Sequence, residues 1–173
     1  MARRVVTGVA SSGKSVFVSD GPAEILGENV LPPPGTVSVW GADLVPPVPS
    51  DGVTDRHARY FPPAGGYRVI VAELPPGTAD PLASHSQELI ESALPGFTTD
   101  ARWDDGGTGM HSTKTIDIGL VLDGSVHLEL DSGEITELRA GDWYVQNGTR
   151  HAWHNRSDRP CRLAIFFVGA AGH

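Results

Sequence analysis

Cysteine is nearly absent from this chain. Cys161 is the single one among 173 residues, which excludes an internal disulfide and a cysteine-rich zinc site. Within a C-terminal apolar run it reads as a small buried hydrophobe. Basic residues are also scarce. Thirteen Lys and Arg against 21 Asp and Glu give a net charge of −8, and Arg3 and Arg4 are the only adjacent basic pair. No basic patch is available to neutralise phosphates, which argues against nucleic acid and against an anionic membrane surface as partners. No apolar run has the length needed to span a bilayer, and the opening stretch MARRVVTGVASSGKSVFVSD alternates instead of forming the apolar centre of a secretion signal. A cytoplasmic protein is the expectation. With 39% hydrophobic and 20% charged residues, the composition is that of one globular domain over residues 1–173 with a proper core.

Turn formers are plentiful: 14 prolines and 21 glycines separate short β-rich runs, as an all-β architecture requires. Val5–Val9 and Ser15–Ser19 read as strands joined by the loop Ala10-Ser11-Ser12-Gly13. Pro32-Pro33-Pro34-Gly35 leads into a strand over Thr36–Trp40. Leu44–Val53 carries Pro46, Pro47 and Pro49 and reads as a surface loop, and Tyr67–Leu74 is a strand closed by Pro75-Pro76-Gly77. One helix is expected over residues 81–94, with Asp80 as N-cap, Pro81 at the first helical position, and Leu82, Leu89, Ile90 and Ala93 on one side. It is placed to lean on one mouth of a barrel. Phe97–Gly109 reads as a loop, either a gate or an ordinary connector. Residues 1–80 are thus expected to supply strands and loops that pack on a barrel formed by residues 106–170.

The stretch that organises the chain is His111–Asn155. His111, Thr113, Thr115 and Asp117 share one parity, so a strand period of two puts them on one face, with Ile116, Ile118, Leu120 and Leu122 on the other. His151, Trp153 and Asn155 share a face further on. If the sheet curls, the second histidine comes against the first, in the pattern of a small β-barrel with a pocket. Between them, Asp123-Gly124, Asp131-Ser132-Gly133, Arg139-Ala140-Gly141-Asp142 and Asn147-Gly148 are turns, the last requiring positive φ. Cys161–Val168 is the final strand, and Ala170–His173 a frayed tail.

These residues resemble the two motifs of the cupin superfamily. The first runs glycine, spacer, His-x-His, three or four residues, Glu, six residues, Gly. Here it meets Gly106, His111, Thr113 in place of the second histidine, Asp117 in place of the glutamate, and Gly124. The second runs glycine, spacer, Pro-x-Gly, two residues, His, three residues, Asn; it meets Gly141, Gln146 in place of the proline, Gly148, His151 and Asn155. The resemblance implies a double-stranded β-helix, or jelly-roll, barrel with extra N-terminal strands and one short helix.

It also implies a site at His111, Asp117 and His151. Two imidazoles and a carboxylate form a facial triad suited to Fe(II), and with less selectivity to Zn, Mn or Ni. The aspartate reaches about 1.5 Å less far than a glutamate, against a metal–oxygen tolerance of about 0.2 Å. Two further readings stay open: metal-free catalysis with Asp117 and an imidazole as an acid–base pair, or a polar interior whose members bond one another. Thr113, Thr115, Trp153, Gln146 and Trp143 are expected to line the pocket, with Tyr144 and Gln146 as donors behind it. His154 and His127 have outward parity, as does Lys114, and His85 falls on the helix. The activity implied is that of a cupin-type enzyme acting on a small organic molecule, by lyase, dehydratase or decarboxylase-like proton transfer. The alternatives are an Fe(II)-dependent dioxygenase and a binding protein without turnover. A homodimer is expected, since the apolar face around Ile116 needs covering by a second copy or by the N-terminal strands.

Overall fold

The computed structural model describes residues 2–25, 36–53, 59–77, 86–93, 101–103 and 109–171. Its strands are β1 (Arg3–Val9), β2 (Ser15–Pro22), β3 (Glu24–Ile25), β4 (Val37–Ala42), β5 (Tyr67–Leu74), β6 (Ala101–Trp103), β7 (His111–Thr113), β8 (Thr115–Asp123), β9 (Ser125–Leu130), β10 (Ile135–Arg139), β11 (Trp143–Asn147), β12 (His151–His154) and β13 (Cys161–Gly169), with one helix, α1 (Gln87–Ala93). A six-stranded sheet in the order β11-β8-β13-β5-β4-β3 faces a five-stranded sheet in the order β10-β9-β12-β7-β6, and β1 and β2 form a separate hairpin. This is the expected all-β jelly-roll arrangement. Among the described residues, no helix is long and apolar enough to cross a membrane.

Alternation sets the inner faces. In β8 the residues Thr115, Asp117, Gly119 and Val121 are buried while Ile116 and Leu122 are exposed. Val121, Tyr144, Cys161 and Leu163 of the larger sheet meet Val126 and Leu138 of the smaller one in a shared core. The second core, Phe61, Ile70 and Phe167, includes Ile90 of α1, with Ala93 packed against it. The helix therefore leans on the barrel through Ile90 and Ala93, as its spacing predicts, whereas Leu89 is exposed. Its described part starts at Gln87, and Ser86 acts as the cap, its Oγ accepting from the Leu89 amide. Asp80, Pro81, Leu82 and His85 lie outside the described residues, as do Pro32-Pro33-Pro34-Gly35 and Gly106.

Three expectations are corrected. The run from His111 to Leu122 is not one strand: it breaks at Lys114, so that β7 belongs to the smaller sheet and β8 to the larger. Phe97–Gly109 is not all loop, because Ala101–Trp103 pairs with β7 in the register Trp103↔His111. The N-terminal strands do not cover the face around Ile116. Instead β5 pairs with β13, and β4 and β3 continue the sheet sideways, leaving Ile116 and Leu122 open. In addition, Ala170 is not frayed, since its amide donates to the Lys114 carbonyl.

Two glycines permit the closest approaches near the site. Gly148, with φ +65°, turns the chain from β11 to β12 beside the Thr113 carbonyl. Gly119 faces Tyr144 across β8 and β11, and a Cβ there would lie 2.1 Å from the tyrosine Cζ. Gly119→Ala should therefore overpack the barrel at a cost of about 1–3 kcal/mol. The measured outcome is a melting temperature lower by several degrees, at roughly 2–4 °C per kcal/mol for a chain of this size. An unchanged melting temperature would place the Tyr144 ring elsewhere.

Candidate functional site

The register of the smaller sheet puts His151 directly opposite His111. Both point inward, and their ring centroids are 4.4 Å apart with the planes tilted by 50°. His111 Nδ1 lies 2.8 Å from the Gly109 carbonyl and His151 Nδ1 2.9 Å from the Thr149 carbonyl. A carbonyl only accepts, so each Nδ1 carries the proton and each Nε2 carries the lone pair. Burial keeps both rings neutral. It pushes His111 down to about 4, helped by the neighbouring His151 ring and opposed by the Gly109 hydrogen bond. Burial likewise lowers His151, against the Thr149 hydrogen bond.

The break at Lys114 carries the site from one sheet to the other. Thr113 Oγ1 at the end of β7 is 2.7 Å from Thr115 Oγ1 at the start of β8. Thr115 in turn donates to Asp117 Oδ1. All three side chains are buried. Because Thr115 spends its one proton on the carboxyl, the proton between the two hydroxyls comes from Thr113. Burial pushes Asp117 up to about 6, with the Thr115 hydroxyl working the other way. The buried Tyr144 phenol is raised well above the ordinary tyrosine range, by burial first and by the Asp117 charge second.

Of the expected lining residues, Thr113, Thr115 and Gln146 are buried on the inner face, Gln146 in register with Asp117 and accepting from Thr149 Oγ1. Trp153 is half-buried, its ring edge-on to His151 at 5.8 Å and to Tyr144 at 4.8 Å, so it walls the space between the sheets. Trp143 is not a lining residue: it is 59% exposed on the outer face, opposite Leu120. Tyr144 takes the inward place that parity denies to Trp143. Asn155 is buried but structural, its Nδ2 holding the Leu74 and Arg159 carbonyls. His154 points outward and pairs with Glu129 at 2.7 Å. His127 is half-buried, with its Nδ1 covered, and Lys114 is exposed. Tyr60, which sequence reasoning did not select, feels the Asp117 charge and packs beside Phe61 and Phe167.

The metal expectation meets a specific difficulty. Main-chain acceptors on both Nδ1 atoms suit ligand histidines. Among the described residues, however, no group of three or more His, Cys, Asp or Glu side chains is arranged to hold a metal ion. The two imidazoles face one another, and one carboxylate oxygen of Asp117, Oδ1, accepts from Thr115.

Residues 103–168 match the family model described as Cupin_2, cupin domain. Phomopsin biosynthesis cluster protein C' of Diaporthe leptostromiformis is 56% identical over 57 residues, which are 33% of this chain and 30% of that protein. The cupin-domain-containing oxidoreductase virC of Hypocrea virens is 46% identical over 46 residues, 27% of this chain and 24% of that protein. The matched stretch thus spans less than a third of the length of either relative. Among solved structures, an RmlC-like cupin family protein from Methanocaldococcus jannaschii overlaps with a TM-score of 0.40 at 10% identity, covering 60% of this chain and 70% of that one. The polyketide cyclase RemF from Streptomyces resistomycificus overlaps with a TM-score of 0.39 at 17% identity, covering 58% and 53%. Residues 103–168, where the fold sets the second-motif histidine against the first inside a rolled β scaffold, thus match a cupin domain.

Proposed function

We propose that this chain is a cytoplasmic small-molecule enzyme that works by proton transfer, of the dehydratase, lyase or decarboxylase kind. The observation that carries the reading is the hydroxyl line from Thr113 through Thr115 to Asp117, which starts two residues after His111, the imidazole that faces His151. His151 Nε2, neutral and oriented by Thr149, is the base, and it takes a proton from carbon beside a substrate carbonyl. Protonated Asp117 is the acid. When Asp117 is protonated the two hydroxyls turn so that Asp117 donates to Thr115 and Thr115 to Thr113. Thr113 then gives its proton to a departing hydroxyl group, which leaves as water while the carbon–carbon double bond forms, and Asp117 is left ionised and His151 protonated. Trp153 supplies a flat wall for the substrate.

A second reading rests on one observation, that several relatives are named cupin-domain-containing oxidoreductases. Under that reading the same cavity would host an oxidation. The two are separable with a panel of small β-hydroxy carbonyl compounds in D2O, followed by proton NMR for elimination and exchange and by an oxygen electrode. Proton transfer expects elimination or exchange without oxygen uptake. It also expects a loss of about 10²–10⁴-fold in His151→Gln and in Asp117→Asn. Oxygen uptake without exchange would overturn it in favour of oxidation.

The shifted groups set the pH dependence. Activity requires neutral His151 and protonated Asp117, so kcat/KM should fall in acid as the imidazole protonates and fall again above about 6 as Asp117 ionises. A rate that keeps rising through pH 8 would remove Asp117 from the role of acid.

Stability carries the same signature. The folded carboxyl titrates near 6 against about 4 unfolded, so the stability present below pH 4 is lost progressively as pH rises to 6. Two units correspond to on the order of 3 kcal/mol. Asp117→Asn should therefore melt higher than the natural protein at pH 7, with the difference shrinking as pH falls from 6 to 4, as read by calorimetry across that range. Equal melting curves at both ends would mean that Asp117 is not buried as an acid.

A further inference from the structure

Taking a proton from carbon beside a carbonyl moves an electron pair onto the carbonyl oxygen, and that oxygen needs a hydrogen-bond donor. The imidazoles do not supply one, since each Nδ1 proton goes to a main-chain carbonyl and each Nε2 accepts. Thr113 and Thr115 use their protons in the line to Asp117. The inner face of β11 holds two further donors, Tyr144 and Gln146. Tyr144 is buried among Val121, Val126 and Leu163 in the shared core, its ring against Gly119. Gln146 is 3% exposed and stands in register with Asp117. Thr149 Oγ1 donates to Gln146 Oε1, which fixes the amide with its Nε2 protons turned away from Thr149. Among the described residues nothing accepts from that Nε2. Unlike Arg68 Nε and His127 Nδ1, it is not one of the fully covered atoms without a partner, so an incoming group can reach it. Thr149 also serves the base, because its carbonyl accepts from His151 Nδ1. One residue thus sets both the free amide donor and the imidazole, across the turn at Gly148. The proline that the second motif would place at 146 has no side-chain donor.

We infer that Gln146 is the residue that binds the substrate carbonyl, its Nε2 donating to the carbonyl oxygen while His151 takes the neighbouring proton. This role rests on the proton-transfer reading and supplies the donor for its first step. As the carbon–hydrogen pair becomes the double bond of an enolate, the carbonyl π pair moves to oxygen and the hydrogen bond from Nε2 tightens, with the amide keeping its protons. When the pair returns, it forms the carbon–carbon double bond to the next carbon and expels the hydroxyl group, which leaves as water with the Thr113 proton. The substrate class narrows accordingly to uncharged carbonyl compounds: aldehydes, ketones, esters or amides. A carboxylate already carries negative charge on its oxygens, and one neutral amide donor is a poor match for a second.

Isotope-edited infrared spectroscopy of benzylacetone, labelled at its carbonyl carbon, reads this hydrogen bond without turnover, because the ketone has no leaving group. In Gln146→Met the bound carbonyl stretch should rise from its value in the natural protein toward that of the ketone in an apolar solvent. For the substrate found in the D2O panel, the same variant should lose about 10²–10³-fold in kcat, with KM changed less than about tenfold. Thr149→Val keeps the carbonyl that holds His151 and removes the hydroxyl that holds Gln146, so it should shift the band in the same direction with a smaller loss of kcat. It carries the test if circular dichroism shows Gln146→Met unfolded. A carbonyl stretch equal in the natural protein and the folded variants, or no bound ketone at saturating concentration, would overturn the inference. Exchange at the natural rate in Gln146→Met would remove Gln146 and leave the proton-transfer reading standing. A natural protein that neither exchanges nor eliminates, with a ketone band that still depends on Gln146, would remove that reading and leave Gln146 as the carbonyl-binding residue.

Discussion

Burying the Asp117 carboxyl is the constraint around which the barrel interior is arranged. An ionised carboxylate in an apolar interior is disfavoured by several kcal/mol unless hydrogen bonds reach it. The fold answers with one short line of hydroxyls. Thr115 donates to the carboxyl and Thr113 joins Thr115 across the point where the chain leaves one sheet for the other. Those bonds offset only part of the burial, which is why the group sits near 6 instead of near 4. A break in the strand at Lys114 is what allows the hydroxyls of residues 113 and 115 to meet at 2.7 Å. In a flat strand the side chains of i and i+2 stand nearly 7 Å apart, at about 3.3 Å per residue.

Much of this was legible in the sequence because parity survives the break. His111, Thr113, Thr115 and Asp117 keep the same facing although β7 and β8 belong to different sheets, so a count by twos finds the inward line without knowing the topology. The placement of His151 opposite His111 follows from curling of the sheet, and the structure realises it as a direct cross-strand pair. The turns were equally readable. Gly124, Gly133, Gly141 and Gly148 all take positive φ, the conformation for which glycine is selected.

What escaped reading has physical causes. Trp143 and Gln146 are three residues apart, so a regular strand cannot turn both inward. The buried Gln146 fixes Tyr144 as the inner aromatic and sends Trp143 to the outer face. Strand β6 is three residues long, too short to show a period, and exists only because β7 offers it an edge. Whether the N-terminal strands stack on a sheet or join it edge to edge depends on long-range pairing such as that of β5 with β13, and alternation within a strand does not encode it. Tyr60 likewise reaches the Asp117 region through packing with Phe61 and Phe167, which no local pattern announces.

The two departures from the motif belong together. An imidazole at position 113 would project past the hydroxyl that now meets Thr115 and would end the line at its first link. A glutamate at 117 would carry its carboxyl about 1.5 Å further along the side chain, away from the Thr115 hydroxyl that now donates to it. Replacing either residue alone would leave a buried acid or a buried hydroxyl short of a partner, at a cost of about 1–3 kcal/mol. The pair Thr113 and Asp117 is therefore a consistent alternative to the pair it stands in for. It joins a buried acid by hydrogen bonds to the hydroxyl of Thr113, two residues after one of two oriented imidazoles.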